Sequence, residues 1–546
     1  MSAGRPLLSQ KGPEVKRTAL IVAVISICLV RPAAGERWLI ERASGAQGLS
    51  AEDSWAPAAA ELLLRRDLGR LRGLTILAKP DVKSDVATLE LNRLSSAKGE
   101  TRVLLGKFAR AGGLIALDVA RKPESEDLEL TARVVDLTQP EREKALSETV
   151  KRSGDMEPAV ARLAASAAEF LGRPAAADEL ARMGSPSFLT RDGLVALARG
   201  IEALEPAERE LFLKQATMLS PRAPLAWHLY AQELHASAKT LDAISAYREA
   251  IKLDGEEARV HYDLANAFFD EKRYAEAAAE YGRAIALDPT HAASHENLVS
   301  ALRMQKLAPE GVLGEYRKLA APYEKVAVVH LEIGRLLAGT GKFAEAVEEF
   351  RRAGDLDPRD PVVRFDLAHT LEQSGKEDEA FYEYKEAIKL APNYAKALNN
   401  VAALYEKKGK DRLALFYYQK AVEYAPDYAL AWNNLGILYG RLGMNRLEME
   451  AFRNQVKLTP KDPVAYYNLG VACHRSGQFK SAIDVYKKAL ELKPDDRPTH
   501  WQLAHAYERE GLWNLANGEW RKVLELAPTP EEKATAEKHL KENEGR

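Results

Sequence analysis

Residues 463–496 read PVAYYNLGVACHRSGQFKSAIDVYKKALELKPDD, with two runs of helical spacing separated by a glycine. The first half of this stretch carries apolar and small residues at helical spacing, namely Tyr466, Leu469, Gly470 and Cys473. Gly477 then interrupts the pattern, because glycine favours a helix end over a helix interior. The second half repeats the spacing with Ala482, Tyr486, Ala489 and Leu492 and stops at Pro494. The stretch therefore predicts two helices joined by a tight turn.

A short motif that ends in proline recurs along the chain. Similar motifs end at Pro289 (AIALDP), Pro358 (AGDLDP), Pro392 (AIKLAP), Pro426 (AVEYAP), Pro460 (QVKLTP), Pro494 (ALELKP) and Pro528 (VLELAP). From Pro358 onward each motif lies 34 residues after the preceding one, and Pro221 and Gly255 extend the same register towards the N-terminus. Repetition at such a period indicates an architecture of repeated helical units.

Small and aromatic residues recur at fixed positions within the units. Small residues mark close approaches of first helices at Ala402, Gly436, Gly470 and Ala504. Aromatic residues recur in the second helices at Tyr247, Tyr281, Phe350, Tyr384, Tyr418, Phe452, Tyr486 and Trp520. A single hairpin cannot bury such a stripe, so the hairpins must stack on one another into an α-solenoid.

These residues resemble the tetratricopeptide repeat family, whose signature pairs small residues with aromatics and closes on proline. The resemblance covers residues 224–530, about nine units. It implies a mainly α chain built as a right-handed superhelical solenoid. We expect a degenerate capping repeat at 187–223, an irregular hairpin at 292–326 and a charged capping helix at 531–546.

The first 35 residues have the order of a secretory signal: basic residues, an apolar run over 18–30, then small residues at 33–35. A helix of this run reaches about 20 Å, short of the ~30 Å hydrocarbon layer, which favours a cleaved signal over an anchor. We therefore expect a periplasmic or otherwise exported protein. The alternative is a membrane-anchored protein with a periplasmic domain. Lipid modification of Cys28 is disfavoured, because Ile27 stands where a small residue is normal.

Residues 36–172 show a different pattern, followed by a linker at 173–186. Strand-like runs are Trp38–Glu41, Leu74–Pro80, Thr101–Phe108, Gly113–Arg121 and Leu128–Leu137, and helical stretches are Trp55–Arg70 and Met156–Leu171. This mixed order predicts a small α/β domain with a sheet covered by helices.

The arrangement of this domain looks like the amino-terminal domain of TolB and related periplasmic proteins. Three segments carry the resemblance: residues 59–80, the strand pair at 103–113 and 128–136, and the closing helix at 159–172. The resemblance implies an envelope protein with a docking domain, and no functional residue transfers from it.

Composition and motifs exclude several functional classes. The chain has 78 basic and 80 acidic residues, so charge gives no reason to expect a nucleic-acid partner. Its two cysteines exclude a disulfide framework. Phe108 stands where a phosphate-binding loop needs Ser or Thr, and Val299 stands where a zincin needs its second histidine. We expect no enzymatic activity and no cofactor.

Histidines recur at the fourth position of several units, at His261, His295 and His330, with His500 near the end. Equivalent residues on neighbouring hairpins lie about 10 Å apart, whereas ligands of one metal need distances near 2 Å from the ion. We therefore predict that these histidines pack between helices and that no metal site is present.

The sixth position of each unit carries a side chain that accepts a hydrogen bond. The series is Asp263, Asn297, Glu332, Asp366, Asn400, Asn434, Asn468 and Gln502, with Asn399 and Asn433 beside two of its members. First helices line the concave surface of such a solenoid, so these amides are suited to grip the main chain of an extended peptide. They are similar to the asparagine ladder of O-linked sugar transferase repeats. The alternative is that they hydrate a polar face or brace neighbouring helices.

Aromatic residues stand one position earlier, at Tyr262, Phe365, Tyr467 and Trp501. They are candidate apolar anchors for a partner, of the kind that dominates interface energetics, or partly buried packing residues.

The sequence therefore predicts an exported adaptor that binds an extended segment of a protein partner in the groove, within a bacterial cell-envelope assembly. Membrane association would arise only through an uncleaved N-terminal segment or an envelope complex. The alternatives are a structural assembly factor that acts through its convex or terminal surfaces, and a regulator with a ligand site in the N-terminal domain.

Overall fold

The computed structural model describes residues 36–42, 60, 63–64, 74–77, 113–121, 128–136, 143–150, 157–171 and 188–544. The predicted leader, the predicted strand at 101–108 and the linker at 173–186 lie outside them. Of the predicted helix at 55–70, residues 60, 63 and 64 are described, and all three are helical. The described residues divide at Lys376 into two compact units, which we call the first and second units.

A sheet opens the first unit. Its described strands are β1 (Glu36–Arg42), β2 (Leu74–Leu77), β3 (Gly113–Arg121), β4 (Leu128–Asp136) and β5 (Glu143–Val150). Their order is β2-β1-β3-β4-β5; β1 is parallel to both neighbours, and the β3–β4 and β4–β5 pairs are antiparallel. Alternate residues of β3 and β4 are buried in one core with α1 (Glu157–Phe170), as their apolar alternation requires.

Strand β5 was not predicted from the sequence. It lies at the edge of the sheet and reads EKALSETV, and only Val150 of its residues is fully buried. An edge strand that is mostly exposed needs no apolar alternation, so the pattern that revealed β3 and β4 is absent from it.

Helical hairpins fill the rest of the first unit. They are α2 (Arg191–Glu202) with α3 (Pro206–Leu219), α4 (Pro224–Ala236) with α5 (Thr240–Leu253), α6 (Ala258–Asp270) with α7 (Tyr274–Leu287), α8 (Ala292–Met304) with α9 (Pro309–Ala320), and α10 (Ala327–Gly339) with α11 (Phe343–Leu356), followed by α12 (Pro361–Gln373). Leu194 and Ala198 of α2 belong to the same core as the sheet, so the hairpins begin in direct contact with the α/β domain.

The hairpin that departs from the sequence pattern also differs in structure. Helix α9 has 12 residues, whereas the second helices α7 and α11 on either side have 14. A 3-10 turn, Ala321–Tyr323, follows α9 and accommodates the remaining residues of this longer unit.

The regular elements among the described residues of the second unit are all helices. They are α13 (Glu377–Leu390), α14 (Ala395–Lys407), α15 (Asp411–Tyr424), α16 (Ala429–Arg441), α17 (Asn445–Leu458), α18 (Pro463–Arg475), α19 (Phe479–Leu492), α20 (Arg497–Arg509), α21 (Trp513–Glu525) and α22 (Pro530–Asn543). The predicted fold class, helical repeats preceded by a small α/β domain, is confirmed. No helix among the described residues combines the length and apolar character needed to cross a membrane.

From the hairpin of α4 and α5 onward, the turn inside each described hairpin contains a residue in the left-handed region of φ. Gly477 adopts φ = +74° directly after α18, and the amide of Gln478 donates to the carbonyl of Cys473 at 2.9 Å. This arrangement satisfies carbonyls at the helix end, and glycine adopts it without steric cost. The turn brings α19 back against α18, where Tyr486 packs on the small residue Gly470.

Candidate functional site

The first helices of successive hairpins lie side by side, so their sixth-position residues meet across helices. In the first unit α4 contacts α6, α8 contacts α10, and α10 contacts α12; in the second unit α18 contacts α20. Hydrogen bonds between asparagines join α14, α16 and α18 in the same way. The predicted site residues of each unit therefore share one face of that unit.

Five asparagines of the second unit form a continuous hydrogen-bonded series, which we call the asparagine ladder. Asn468 Nδ2 donates to Asn433 Oδ1 (2.9 Å), Asn433 to Asn434 (3.2 Å), Asn434 to Asn399 (3.0 Å), Asn399 to Asn400 (3.2 Å), and Asn400 to the Tyr384 hydroxyl (2.8 Å). The series runs from α18 through α16 and α14 to α13. It braces neighbouring helices, which is one of the two roles that the sequence left open.

The ladder retains hydrogen-bonding capacity towards a ligand. A carboxamide has two N–H donors and two acceptor lone pairs, and each ladder amide donates one N–H within the ladder or to Tyr384. Asn399 is only 2% exposed, but the other four members are partly exposed. Four accessible amides that are already held in place can therefore still donate to a carbonyl oxygen of a bound chain.

Trp501 and Gln502 of α20 continue this face next to Tyr467 of α18. Tyr467 is half-buried and hydrogen-bonds with Gln502, and burial raises the pKa of its hydroxyl. Trp501 packs edge-on against Trp520, with ring centroids 4.9 Å apart. Both aromatic residues therefore contribute to packing while one part of each stays accessible.

Asp263 of the first unit is saturated by internal partners. It is 6% exposed and accepts hydrogen bonds from His228 (2.9 Å), Gln232 (2.7 Å) and Arg259 (3.1 Å). Burial alone would raise its pKa, but the hydrogen bond to His228 and the charge of Arg259 prevail and lower that pKa to about 2. The carboxylate holds α4 and α6 together and has little capacity left for a ligand.

Asn297 is also committed internally, because its amide donates to the Tyr262 hydroxyl and to Asn266 Oδ1, both at 3.2 Å. Asp366 and Glu332 share one cation: Arg335 Nε lies 2.7 Å from Asp366, and its Nη1 bonds Glu332 and lies 3.0 Å from Glu296. The sixth positions of the first unit are thus engaged in buried or partly buried polar and ionic contacts, most of them between helices.

Each of the repeated histidines joins the first helix of its hairpin to the second helix. Their Nε2 atoms bond a backbone carbonyl six residues earlier, and their Nδ1 atoms bond a residue of the following helix. The Nδ1 partners are Glu280 for His261, Tyr316 for His295, Glu349 for His330 and Glu519 for His500. Both ring nitrogens of each histidine are therefore occupied within one hairpin.

A matched pair of phenylalanine substitutions tests the end of the ladder. Tyr384→Phe removes the acceptor of the Asn400 amide and should lower the free energy of unfolding by about 1 kcal/mol. Tyr486 occupies the same repeat position, but its hydroxyl is buried without a partner, so Tyr486→Phe should be neutral or stabilising. Urea unfolding of both variants measures the difference. Equal costs would contradict the assigned hydrogen bond.

Comparison with protein families identifies the helical units. Models described as "Tetratricopeptide repeat" match residues 225–292, 331–395, 395–428, 417–451 and 463–496. These segments of the chain are tetratricopeptide repeats, and the resemblance inferred from the sequence is confirmed for them. Comparison with curated proteins gives no match.

Several solved structures are similar to parts of the chain. "Crystal structure of MamA" has 26% identity and a TM-score of 0.28, and the match covers 31% of this chain and 97% of that one. MamA 41-end from Desulfovibrio magneticus RS-1 has 22% identity over 30% of this chain and 94% of that one, with a TM-score of 0.29. YrrB, "a TPR protein with an unusual peptide-binding site", has 20% identity over 34% of this chain and 95% of that one, with a TM-score of 0.29.

Proposed function

We propose that this chain is an exported, non-enzymatic scaffold that binds an extended segment of a partner polypeptide along the asparagine ladder. The observation that carries the proposal is the set of four partly exposed amides, Asn400, Asn433, Asn434 and Asn468, each held by a neighbour and each with a second N–H. Amides fixed in this way lose little rotamer entropy when a ligand binds.

The spacing of the ladder fits an extended main chain. Neighbouring helices lie about 8–10 Å apart, and an extended chain advances about 3.3 Å per residue. Successive first helices would therefore meet about every third residue of the ligand. Because a carboxamide pairs with C=O and N–H groups of any residue, the ladder would recognise the backbone, and residues such as Tyr467 and Trp501 would supply contacts with side chains.

The first helices of the second unit offer a ligand a better binding surface than the first helices of the first unit. In the first unit the corresponding positions are a saturated carboxylate at Asp263, a committed amide at Asn297 and the ion pairs of Arg335. A ligand would have to break buried charge pairs there, which is costly. On the ladder it would only add hydrogen bonds.

The proposal places the protein in the bacterial cell envelope. Its support is the signal-like order of the first 35 residues and the resemblance of residues 36–172 to the amino-terminal domain of TolB. In this proposal the α/β domain docks the scaffold in an assembly while the ladder holds the partner.

A second candidate is an assembly factor that acts through the opposite helices. The second helices α13 and α15 expose the large side chains of Tyr382 (61%) and Phe416 (51%). Exposed aromatic side chains are suited to bury against a protein partner. Binding that depends on these two residues and not on the ladder would favour this candidate.

The ladder proposal can be tested with peptides that the full chain selects from a random peptide library. Asn434→Ala with Asn468→Ala removes two accessible amides and should weaken binding at least tenfold, because each lost hydrogen bond is worth about 1 kcal/mol. The control is Asn399→Ala, which removes a ladder member that is buried and out of reach of the peptide.

The control separates binding from bracing. Asn399→Ala and Asn434→Ala break the same hydrogen bond between α14 and α16, so both should lower stability by a similar amount. The loss of affinity should be much larger for the variants at Asn434 and Asn468, which remove donors to the peptide, than for Asn399→Ala, which removes only a neighbour that holds Asn434 and Asn400. Unchanged affinity of the double variant, or an equal loss in Asn399→Ala, would reject the ladder as the binding surface.

A further inference from the structure

Three side chains with metal-binding atoms converge at the end of the second unit. They are His505 and Glu508 of α20 and His539 of α22, and one ligand atom from each lies within 4.8 Å of the other two. His539 Nδ1 is 3.0 Å from Glu508 Oε1, and His505 Nδ1 is 3.4 Å from Glu508 Oε2. Within the part of the chain that the structure describes, this is the one group of three such residues at this spacing.

The surrounding residues hold this group in position. The Glu508 carboxylate accepts hydrogen bonds from Trp520 Nε1 and Asn543 Nδ2, both at 2.8 Å. The ring of His539 stacks on Trp520 with centroids 4.7 Å apart, and the ring of His505 meets Trp520 edge-on at 4.8 Å. Hydrogen bonds to ligating carboxylates and fixed imidazole rings are what metal sites use to orient their ligands.

We propose that His505, Glu508 and His539 bind a transition metal ion of the Zn²⁺ class that ties α22 to α20. Two imidazoles and a carboxylate are donors that such ions accept. With metal–ligand distances of about 2.0–2.1 Å, tetrahedral ligand atoms lie about 3.3 Å apart, so rotations that move the ring nitrogens by about 1 Å complete the site. The fourth position remains for water. The site is independent of the ladder and of the function proposed above.

This group differs from the repeated histidines in the partners of its rings. His261 and His500 each bond a backbone carbonyl through Nε2 and a glutamate of the next helix through Nδ1. His505 and His539 instead lie next to each other, with ring centroids 5.0 Å apart, and share one carboxylate. Two imidazoles that face a common anion can both turn a nitrogen towards one cation.

Zn²⁺ titration of the full chain against a chromophoric chelator tests the proposal. We expect one ion bound per chain and at least a tenfold weaker affinity in His505→Gln and His539→Gln. His369→Gln, a change at an exposed histidine of α12, is the control and should leave the affinity unchanged. His539→Cys should bind Zn²⁺ at least tenfold more tightly than His539→Gln, because a thiolate is also a zinc ligand.

Hydrogen exchange measures the tie between the helices. Zn²⁺ should slow amide exchange in residues 530–543 of the parent chain at least tenfold, and it should not do so in His539→Gln. The proposal is overturned if His539→Gln binds Zn²⁺ as tightly as the parent, or if His539→Cys binds no better than His539→Gln. Exchange in 530–543 that does not respond to Zn²⁺ would also overturn the tie.

Discussion

Replacing Gly470 by valine should destabilise the second unit by about 3 kcal/mol, because overpacking a filled core costs about that much. A Cβ atom at this glycine would lie 2.4 Å from Cε1 of Tyr486, and the Tyr486 ring is buried in the core of this unit. The ring cannot move away without opening contacts with its other neighbours. Urea unfolding of the full chain, followed by circular dichroism, measures the loss.

Gly518 provides the control for this experiment. A Cβ atom there would meet nothing within 4 Å, so Gly518→Ala should stabilise the unit by about 1 kcal/mol through helix propensity alone. Alanine already stands at the repeat position of Gly470 in two other hairpins, at Ala402 and Ala504, so Gly470→Ala should cost less than Gly470→Val. A Gly470→Val protein as stable as its parent would contradict the packing of these hairpins.

Replacing Arg335 by methionine should lower the stability of the first unit by about 3 kcal/mol near neutral pH, because it leaves the buried carboxylate of Glu332 and the partly buried one of Asp366 without their cation. Glu332 is 4% exposed, and Arg335 bonds both Glu332 and Asp366. Urea unfolding at neutral pH measures this loss. The control is Lys318→Met, whose pair with Glu315 is exposed on both sides, and it should change stability by less than about 0.5 kcal/mol.

The loss at Arg335 should depend on pH in a defined direction. Burial raises the pKa of Glu332 although Arg335 opposes the rise, so removal of the cation raises that pKa further. A carboxyl group whose pKa is raised by folding stabilises the native state below its unfolded pKa, and this contribution is lost as pH rises through the folded pKa. The deficit of Arg335→Met should therefore be largest at neutral pH and shrink in acid as Glu332 becomes protonated. A deficit that is constant with pH would contradict the assignment.

The helical hairpins were predictable because their signal is local. The spacing of Tyr466, Leu469 and Gly470 identifies a helix within one turn, and Gly477 identifies its end. Strand β5 gives no such signal, because an exposed edge strand has no buried face to impose an alternation.

The state of the ladder could not be predicted, because its bonds join residues that are distant in sequence. The bonds from Asn434 to Asn399 and from Asn468 to Asn433 each span 35 residues. Each joins the amide at the sixth position of one unit to the amide at the fifth position of the preceding unit. The sequence placed these residues on one face but could not show which amides bind each other. It therefore left bracing and ligand binding as open alternatives, and the structure gives the asparagines the first role while leaving donors for the second.

The spacing argument made for His261, His295 and His330 does not extend to His505 and His539. His505 and His539 lie 34 residues apart, one repeat period, and an estimate from helix packing would separate them by about 10 Å. Their side chains lean towards each other, however, and their ring centroids lie only 5.0 Å apart. Distances between helices therefore do not predict distances between the ends of long side chains.

Photo-crosslinking to the selected peptide would show which surface of the second unit the peptide occupies. A benzophenone side chain at Leu430 or Val464 lies one helical turn before Asn434 or Asn468, and both positions are exposed. If the peptide lies along the ladder, it should crosslink to these two positions and not to a benzophenone at Phe416 on α15. Crosslinks at 416 with none at 430 or 464 would contradict it.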